Sequence, residues 1–256
     1  MTELAFENKD FLWGDEAGPV RILSEYLHPK AEFGSKGITD TVVVFGSARI
    51  PSFDSKTQDS NVHPGLENLT RYYKDAVLFS SLLTQWGHEF ESEFHGRSLH
   101  ICTGGGPGIM EAGNRGAKEA GGKSIALNIV LPHEQHVNPY SNSELSFEFH
   151  YFFMRKLWFM KLCRGMIAFP GGFGTFDELF ETLTLVQTGK KSRIPILLYG
   201  SEFWKKVINF QALADMGLIS PEDLDLFAFA DTPEEAVQYF KEKIRLELTK
   251  KLGTKT

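Results

Sequence analysis

The sequence predicts a doubly wound α/β domain, Rossmann-like, with a mostly parallel sheet and helices on both faces. Short β-branched runs alternate with amphipathic segments of about ten to twenty residues, which is the pattern of repeated βαβ units. The runs are continuously apolar, as in strands that are buried on both faces. No linker or internal repeat divides the chain, so residues 1–256 are predicted to form one domain. Within it, residues 1–40 form a helical extension and residues 41–256 the α/β core.

The elements follow from the positions of these runs. The predicted strands are residues 41–45, 99–102, 124–130, 145–149, 165–169, 194–199 and 226–230. The predicted helices are residues 18–28, 66–86, 107–119, 151–162, 174–187, 203–216 and 233–248. The polar stretch 51–65 is long for a loop in a compact domain, which indicates a functional or mobile segment.

Composition and charge exclude several classes of protein. The chain is 42% hydrophobic and 23% charged, as expected for a soluble globular protein. The net charge of −6 and the absence of a long basic stretch argue against nucleic acid as a partner. No apolar run is long enough for a membrane span and no signal peptide is visible, so a cytoplasmic protein without membrane contact is expected. Cys102 and Cys163 cannot form a disulfide framework and are predicted to be small buried side chains.

Half of the 24 glycines lie in two short windows, eight in 102–122 and four in 165–174. Each window contains a strand-to-helix turn, TGGGPGIME at 103–111 and PGGFGTFDE at 170–178. Glycine lets backbone amides approach an anion, and the helix N-terminus adds free donors and partial positive charge. Gly46 and Ser47, after the first strand, form a weaker third candidate. The turns indicate a ligand that carries phosphate.

Two common phosphate motifs are absent. Neither window has the lysine of GxxxxGK[ST], and the sixth position counted from Gly104 is Ile109, so GxGxxG also fails. The third predicted strand ends near Asn128 with no acidic residue to hold a dinucleotide ribose. A mononucleotide or a sugar phosphate fits better than NAD.

Structural explanations compete for several of these residues. Thr175 and Glu178 match a capping box, with Glu178 in the first turn of its helix. Asp177 and Glu181 fit a solvated helix face, and Glu111 with Arg115 fits an i,i+4 ion pair. Arg155 also fits an exposed helix arginine. His133 and His136 lack the helical spacing of a metal motif, so no metal is expected.

Taken together, PGGxGTxxE at 170–178, GGGPGIM at 104–110 and the run Met154, Arg155, Lys156 resemble the LOG ("Lonely guy") family. Its members are cytokinin-activating phosphoribohydrolases, and its longer bacterial branch often carries a lysine decarboxylase label. The resemblance covers roughly residues 40–200. It implies hydrolysis of the N-glycosidic bond of a nucleoside 5′-monophosphate, AMP or N6-modified AMP, by a homo-oligomer (dimer or higher). No segment resembles a pyridoxal phosphate lysine site, and no cofactor is expected.

The resemblance also implies roles for the motif residues. Arg155 and Glu178 match the catalytic arginine and glutamate, and a carboxylate suits the positive charge that develops at the ribose C1′. The substrate-binding residues are expected to be Gly46, Ser47, Gly104, Gly105, Gly106, Met154, Lys156, Gly171, Gly172, Gly174, Thr175, Asp177 and Glu181. Among them, Gly171, Gly172, Gly174 and Thr175 are expected to hold the 5′-phosphate. The alternative is a non-catalytic nucleotide-binding or carrier protein on the same fold.

Overall fold

Seven parallel strands form one sheet in the computed structural model of the chain, which describes residues 3–53, 63–131 and 137–253. They are β1 (Asp40–Phe45), β2 (Leu99–Thr103), β3 (Ser124–Ile129), β4 (Ser146–Phe149), β5 (Cys163–Ala168), β6 (Ile196–Tyr199) and β7 (Ala228–Ala230). Their order is β4-β3-β2-β1-β5-β6-β7, and every neighbouring pair is parallel. The predicted fold class is therefore confirmed. Most of the loop predicted over 51–65 (54–62), together with His133 and His136, lies outside the described residues.

Helices cover both faces of this sheet. They are α1 (Lys9–Trp13), α2 (Gly18–Ser35), α3 (Pro64–Glu67), α4 (Thr70–Glu93), α5 (Ile109–Glu119), α6 (Phe152–Leu162), α7 (Phe173–Gln187), α8 (Ser201–Val207), α9 (Phe210–Asp215) and α10 (Pro233–Gly253). Alternate residues of β1 point to opposite faces. Val42 and Val44 pack in the apolar cluster of α4, α5 and α10, whereas Val43 and Phe45 pack in that of α2, α6, α7, α8 and α9.

Strand order reverses between β1 and β5. The chain leaves β1 for β2, β3 and β4 on one side, and then returns to β5 beside β1 for the other half of the sheet. Ligands of open α/β sheets bind in the crevice at the carboxyl ends of the strands on either side of such a reversal. The turns after β1 and β5, at Gly46 and at Gly171, are the two that border it.

Four predicted helices have wrong bounds, and one of them is the last helix, predicted over 233–248, which continues to Gly253 as α10. The helix predicted over 18–28 continues through Pro29 to Ser35, because tertiary contacts compensate for the proline, as described below. The helix predicted over 66–86 becomes the short α3 and then α4, which extends to Glu93. The helix predicted over 203–216 is two helices, since the Asn209 side chain accepts a hydrogen bond from the amide of Ala212 and starts α9 anew.

Other predictions concern the whole chain. Cys102 and Cys163 are buried and free, as predicted. None of the described helices is both long and apolar enough to cross a membrane. The homo-oligomer and the cytoplasmic location stay predictions, as does the division into an extension and a core.

Candidate functional site

A cavity of about 600 Å³ opens at the carboxyl ends of β1, β2 and β5. This is the crevice that the reversal of strand order predicts. Its walls come from the turns after these three strands and from α5, α6 and α7. The lining residues are Phe45, Gly46, Ser47, Ala48, Arg49, Gly104, Met110, Arg155, Phe159, Gly172, Phe173, Gly174, Thr175, Phe176 and Glu178.

Backbone hydrogen bonds through Ser47 join the three turns. The Ser47 amide donates to the carbonyl of Pro170 at 3.0 Å, and the Ser47 carbonyl accepts from the amide of Ile109 at 3.1 Å. Glycine is required at these approaches. A Cβ on Gly108, whose φ is +67°, would lie 2.3 Å from the Ser47 carbonyl oxygen, and one on Gly171 would lie 2.1 Å from the hydroxyl of Thr175.

The start of α7 supplies free amides at the cavity. Its N-cap is Gly172, and among the described residues no side-chain capping hydrogen bond is present at this end. The predicted capping box is therefore wrong, because the helix begins at Phe173, two residues before Thr175. Amides in the first turn of a helix have no intrahelical acceptor, so this end of α7 can accept an anion such as phosphate.

Arg155 lies on α6, and its side chain is only 15% exposed. Its guanidinium carbon stands 5.1 Å from the ring centre of Phe152 and 5.6 Å from that of Phe159. Its Nε has no hydrogen-bond partner among the described residues. Burial lowers the pKa of Arg155, while the nearby Glu178 and Asp177 oppose that change. The alternative of an exposed helix arginine is wrong.

Glu178 is buried in the second turn of α7, not in the first turn as predicted, because α7 starts at Phe173. Its Oε1 lies 3.5 Å from Nη2 of Arg155, and its Oε2 has no hydrogen-bond partner among the described residues. Burial raises the pKa of Glu178 to about 7, against the opposing effect of Arg155 and Lys156. Such a carboxyl can take up or release a proton near neutral pH.

The structure does not bring all predicted residues to the cavity. Lys156 instead pairs with Asp177 at 2.8 Å and Glu181 at 3.2 Å, beside the Arg155–Glu178 pair. Burial lowers the pKa of Lys156, but these two carboxylates outweigh it and the net pKa is raised. The predicted residues outside the lining are Gly105, Gly106, Met154, Lys156, Gly171, Asp177 and Glu181.

Several residues that the sequence singled out make packing contacts or hydrogen bonds that hold the fold. Met154 is 5% exposed and packs in the core. The carbonyls of Gly105 and Gly106 accept hydrogen bonds from the Asn138 side chain at 3.0 and 3.2 Å, which holds the first glycine turn. In α5, Glu111 accepts a hydrogen bond from the Tyr73 hydroxyl at 2.6 Å. Arg115, which was predicted to pair with Glu111, pairs with Glu119 at 2.7 Å.

Sequence reasoning missed several lining residues. Arg49 is a cation beside Arg155 among the described lining residues, and its amide donates to the Ser47 hydroxyl at 3.1 Å. Its position two residues after Ser47 was the available signal. Phe173 is 97% exposed at the start of α7. Met110 and Phe159 add apolar walls, and their helical spacing indicated only core packing.

Fold and site together define a doubly wound α/β protein whose cleft can accept a phosphate beside a buried Arg–Glu pair. The chain belongs to the family whose model is described as "Possible lysine decarboxylase", which matches residues 110–240. The relationship that the glycine motifs predict is thereby confirmed.

Several relatives are cytokinin riboside 5′-monophosphate phosphoribohydrolases. LOG3 of Arabidopsis thaliana is 26% identical over 155 residues, which are 59% of this chain and 71% of that protein. LOG1 of the same plant is 24% identical over 176 residues, 67% of this chain and 76% of that protein. Among solved structures, the molybdenum cofactor binding protein from Rippkaea orientalis superposes with a TM-score of 0.49 at 18% identity, covering 80% of this chain and 96% of that chain.

The decarboxylase in the family's description raises the question of pyridoxal phosphate, which such enzymes bind through a lysine Schiff base. A Schiff-base lysine needs a lowered pKa. Among the described residues, the lining holds two arginines, Arg49 and Arg155, and no lysine. Lys156, the neighbour of Arg155, is bound by two carboxylates that raise its pKa. The described residues around the cavity do not fit this cofactor.

Proposed function

We propose that this cavity hydrolyses the N-glycosidic bond of a nucleoside 5′-monophosphate, AMP or N6-modified AMP, to the free base and ribose 5-phosphate. One observation carries the proposal: Arg155 and Glu178 meet in the cavity, next to the free amides at the start of α7. The relatives named phosphoribohydrolases support it.

The position of the phosphate follows from α7. Bound at the amides of residues 173–175, a 5′-phosphate sits at the positive end of the helix. Glu178 lies on the same helix about one turn further along, roughly 5 Å at 1.5 Å per residue. A ribose attached to that phosphate can therefore reach its carboxylate. Phe45, Met110 and Phe159 provide apolar walls for a flat base.

The chemistry requires one water. As the bond between C1′ and the base nitrogen breaks, its electron pair goes to the base and positive charge develops at C1′. The Glu178 carboxylate stabilises that charge, and its unpartnered Oε2 accepts a proton from the water whose oxygen bonds to C1′. Glu178 then releases this proton to the departing base nitrogen, directly or through solvent, and returns to its carboxylate form. Arg155 keeps a fixed cation beside Glu178 and can orient the leaving base.

The test measures base release from AMP and N6-isopentenyl-AMP by chromatography. Wild type is expected to form ribose 5-phosphate and the free base in equal amounts, the base being adenine from AMP and N6-isopentenyladenine from N6-isopentenyl-AMP. Glu178→Gln, which keeps the size but removes the charge, is expected to lower kcat by about 10²–10⁴-fold, the usual contribution of a general base. Arg155→Ala is expected to lower it as well.

A matched control is Glu119→Gln, which removes a half-exposed carboxylate of α5 from a surface ion pair with Arg115. Its kcat is expected to equal that of wild type. If wild type and Glu178→Gln bind AMP equally and release the same trace of adenine, the enzyme proposal is wrong and the carrier alternative is correct.

A further inference from the structure

Helix α6, which carries Arg155, has no side-chain cap of its own. Its N-cap is Tyr151, whose side chain makes no capping hydrogen bond. The carboxylate of Glu25, on α2, lies at this end instead. Its Oε1 accepts from the amide of His150 at 2.7 Å, and its Oε2 accepts from that of Tyr151 at 3.3 Å. A negative charge at a helix N-terminus is favourable because of the helix dipole.

The backbone of Glu25 contacts the same helix a second time. Pro29 lies four residues later inside α2, and proline has no amide hydrogen to donate to the carbonyl four residues before it. The carbonyl of Glu25 therefore lacks its intrahelical donor, and the indole nitrogen of Trp158 donates to it at 3.1 Å. Glu25 thus holds α6 at residues 150–151 and at residue 158, on either side of Arg155.

Neighbouring contacts strengthen this attachment. Lys161 donates to the Tyr26 hydroxyl at 3.0 Å, and the rings of Tyr26 and Phe33 lie 5.7 and 5.3 Å from that of Trp158. In contrast, the guanidinium of Arg155 has few polar contacts. It lies 3.5 Å from Glu178, and its Nε has no hydrogen-bond partner among the described residues. Its position therefore depends on where α6 lies.

We propose that Glu25 is a positioning residue that sets the place of Arg155 at the cavity by holding both ends of the α6 segment around it. The inference rests on the proposed function. Glu25 lies outside residues 110–240, which the family model matches, so the N-terminal extension contributes to the site without touching it. Small displacements of a positioned group lower rates strongly.

The first measurement is kcat and KM for AMP in Glu25→Ala. We expect kcat to fall on the order of tenfold, because a small displacement of a catalytic group from its productive position has effects of this size. KM is expected to stay within about twofold, since the phosphate amides belong to α7. Glu25→Gln retains one acceptor oxygen, and its kcat is expected to lie between those of wild type and Glu25→Ala. Glu32→Ala is the matched control, because Glu32 is on the same helix and pairs with Lys36 within it.

A double-mutant cycle separates positioning from a general structural role. If Glu25 acts through Arg155, then Glu25→Ala lowers kcat no further in the Arg155→Ala background. An undiminished fall in that background overturns the proposal.

A readout independent of activity uses carbon NMR to titrate Glu178 in the free protein, assigned by its loss in Glu178→Gln. The charged groups that face Glu178 are Arg155 and Lys156 from α6, and Asp177 and Glu181 from α7. When Arg155 moves away, the pKa of Glu178 is expected to rise in Glu25→Ala and to stay unchanged in Glu32→Ala. If the pKa of Glu178 and kcat both equal those of wild type in Glu25→Ala, the proposal is wrong. If wild type releases no base but this pKa still rises, the proposed function fails and the positioning role stands.

Discussion

At the scale of single residues, Glu178 is the unusual group of the site. Its carboxylate is buried, lies 3.5 Å from one guanidinium and leaves one oxygen without a described partner. Desolvation disfavours the charged form, and this weak pairing compensates for only part of that cost. The result is a pKa of about 7, so the protonation state of this one side chain changes across the neutral pH range.

The pH dependence of activity follows from this pKa. Because the proposed role requires the carboxylate, kcat/KM for AMP is expected to rise with pH up to about 7 and to level off above it. Measurement of kcat/KM between pH 5 and 9 tests this. A profile that is flat, or that falls through pH 7, would show that the carboxylate is not the active form.

Stability should change in the opposite direction. The folded protein holds the Glu178 proton more tightly than the unfolded chain, so the stability present below pH 4.5 is lost as pH rises through about 7. The total is about 3 kcal/mol, at 1.36 kcal/mol per pKa unit. Glu178→Gln is therefore expected to be more stable than wild type at pH 8 but not at pH 4, as measured by urea unfolding.

At the scale of elements, the glycines within α5 have a different role from those of the turn before it, because they allow close packing of the helix. A Cβ on Gly116 would lie 2.1 Å from the backbone oxygen of Val77 in α4, and one on Gly113 would lie 2.9 Å from the Thr103 side chain. The glycine-rich window predicted a phosphate turn. Part of its excess instead lets α5 pack closely against α4 and β2.

This packing predicts the effect of alanine at position 116. Gly116→Ala is expected to destabilise the protein by about 1–3 kcal/mol, because the backbone of α4 has to move. Gly34→Ala is the matched control in α2, where a Cβ meets nothing within 4 Å. It is expected to stabilise the protein by about 0.5–1 kcal/mol through helix propensity. Thermal unfolding measures both, and equal effects of the two substitutions would contradict the close-packing role.

At the scale of the whole molecule, an ion cluster around the buried Asp40 joins elements at the amino-terminal ends of the central strands, opposite the cavity. Asp40, at the start of β1, is fully buried. It accepts hydrogen bonds from Arg97, at 2.9 and 2.5 Å, and from Arg164 of β5. Arg164 also reaches Glu247 of α10 at 3.5 Å. The cluster therefore connects both halves of the sheet and the last helix.

Loss of Asp40 leaves Arg97 and Arg164 without their shared carboxylate, but these side chains are 36% and 23% exposed, so water replaces part of the lost pairing. Asp40→Ala is expected to destabilise the protein by about 1.5–3 kcal/mol in urea unfolding, the size of hydrogen bonds to charged groups, with kcat for AMP close to that of wild type at 25 °C in the fraction that stays folded. Glu202→Ala, which removes an exposed partner of Arg71, is expected to cost less than about 1 kcal/mol. Equal losses of unfolding free energy in the two variants would show that the Asp40 cluster stabilises the protein no more than an exposed ion pair does.

Much of the fold could be predicted because its signals are local. The β-branched run of β1 and the glycine turns after β2 and β5 each lie within a few consecutive residues, and each predicts its own element. The end of α2 could not be predicted in this way. Proline normally stops a helix, but α2 passes Pro29, and Trp158, more than a hundred residues later in the chain, supplies the donor that Pro29 cannot give to the Glu25 carbonyl.

The sequence by itself determined the succession of the seven strands along the chain, the two glycine turns and, through a family resemblance, the identities of Arg155 and Glu178. Only the tertiary structure decided that these two side chains are buried together, that Lys156 is taken up by Asp177 and Glu181, and that Glu25 holds α6 from outside. The physical reason is that backbone propensity and turn chemistry act between near neighbours. Burial and charge, which set the pKa of Glu178 and the place of Arg155, depend on residues that meet only when the chain folds.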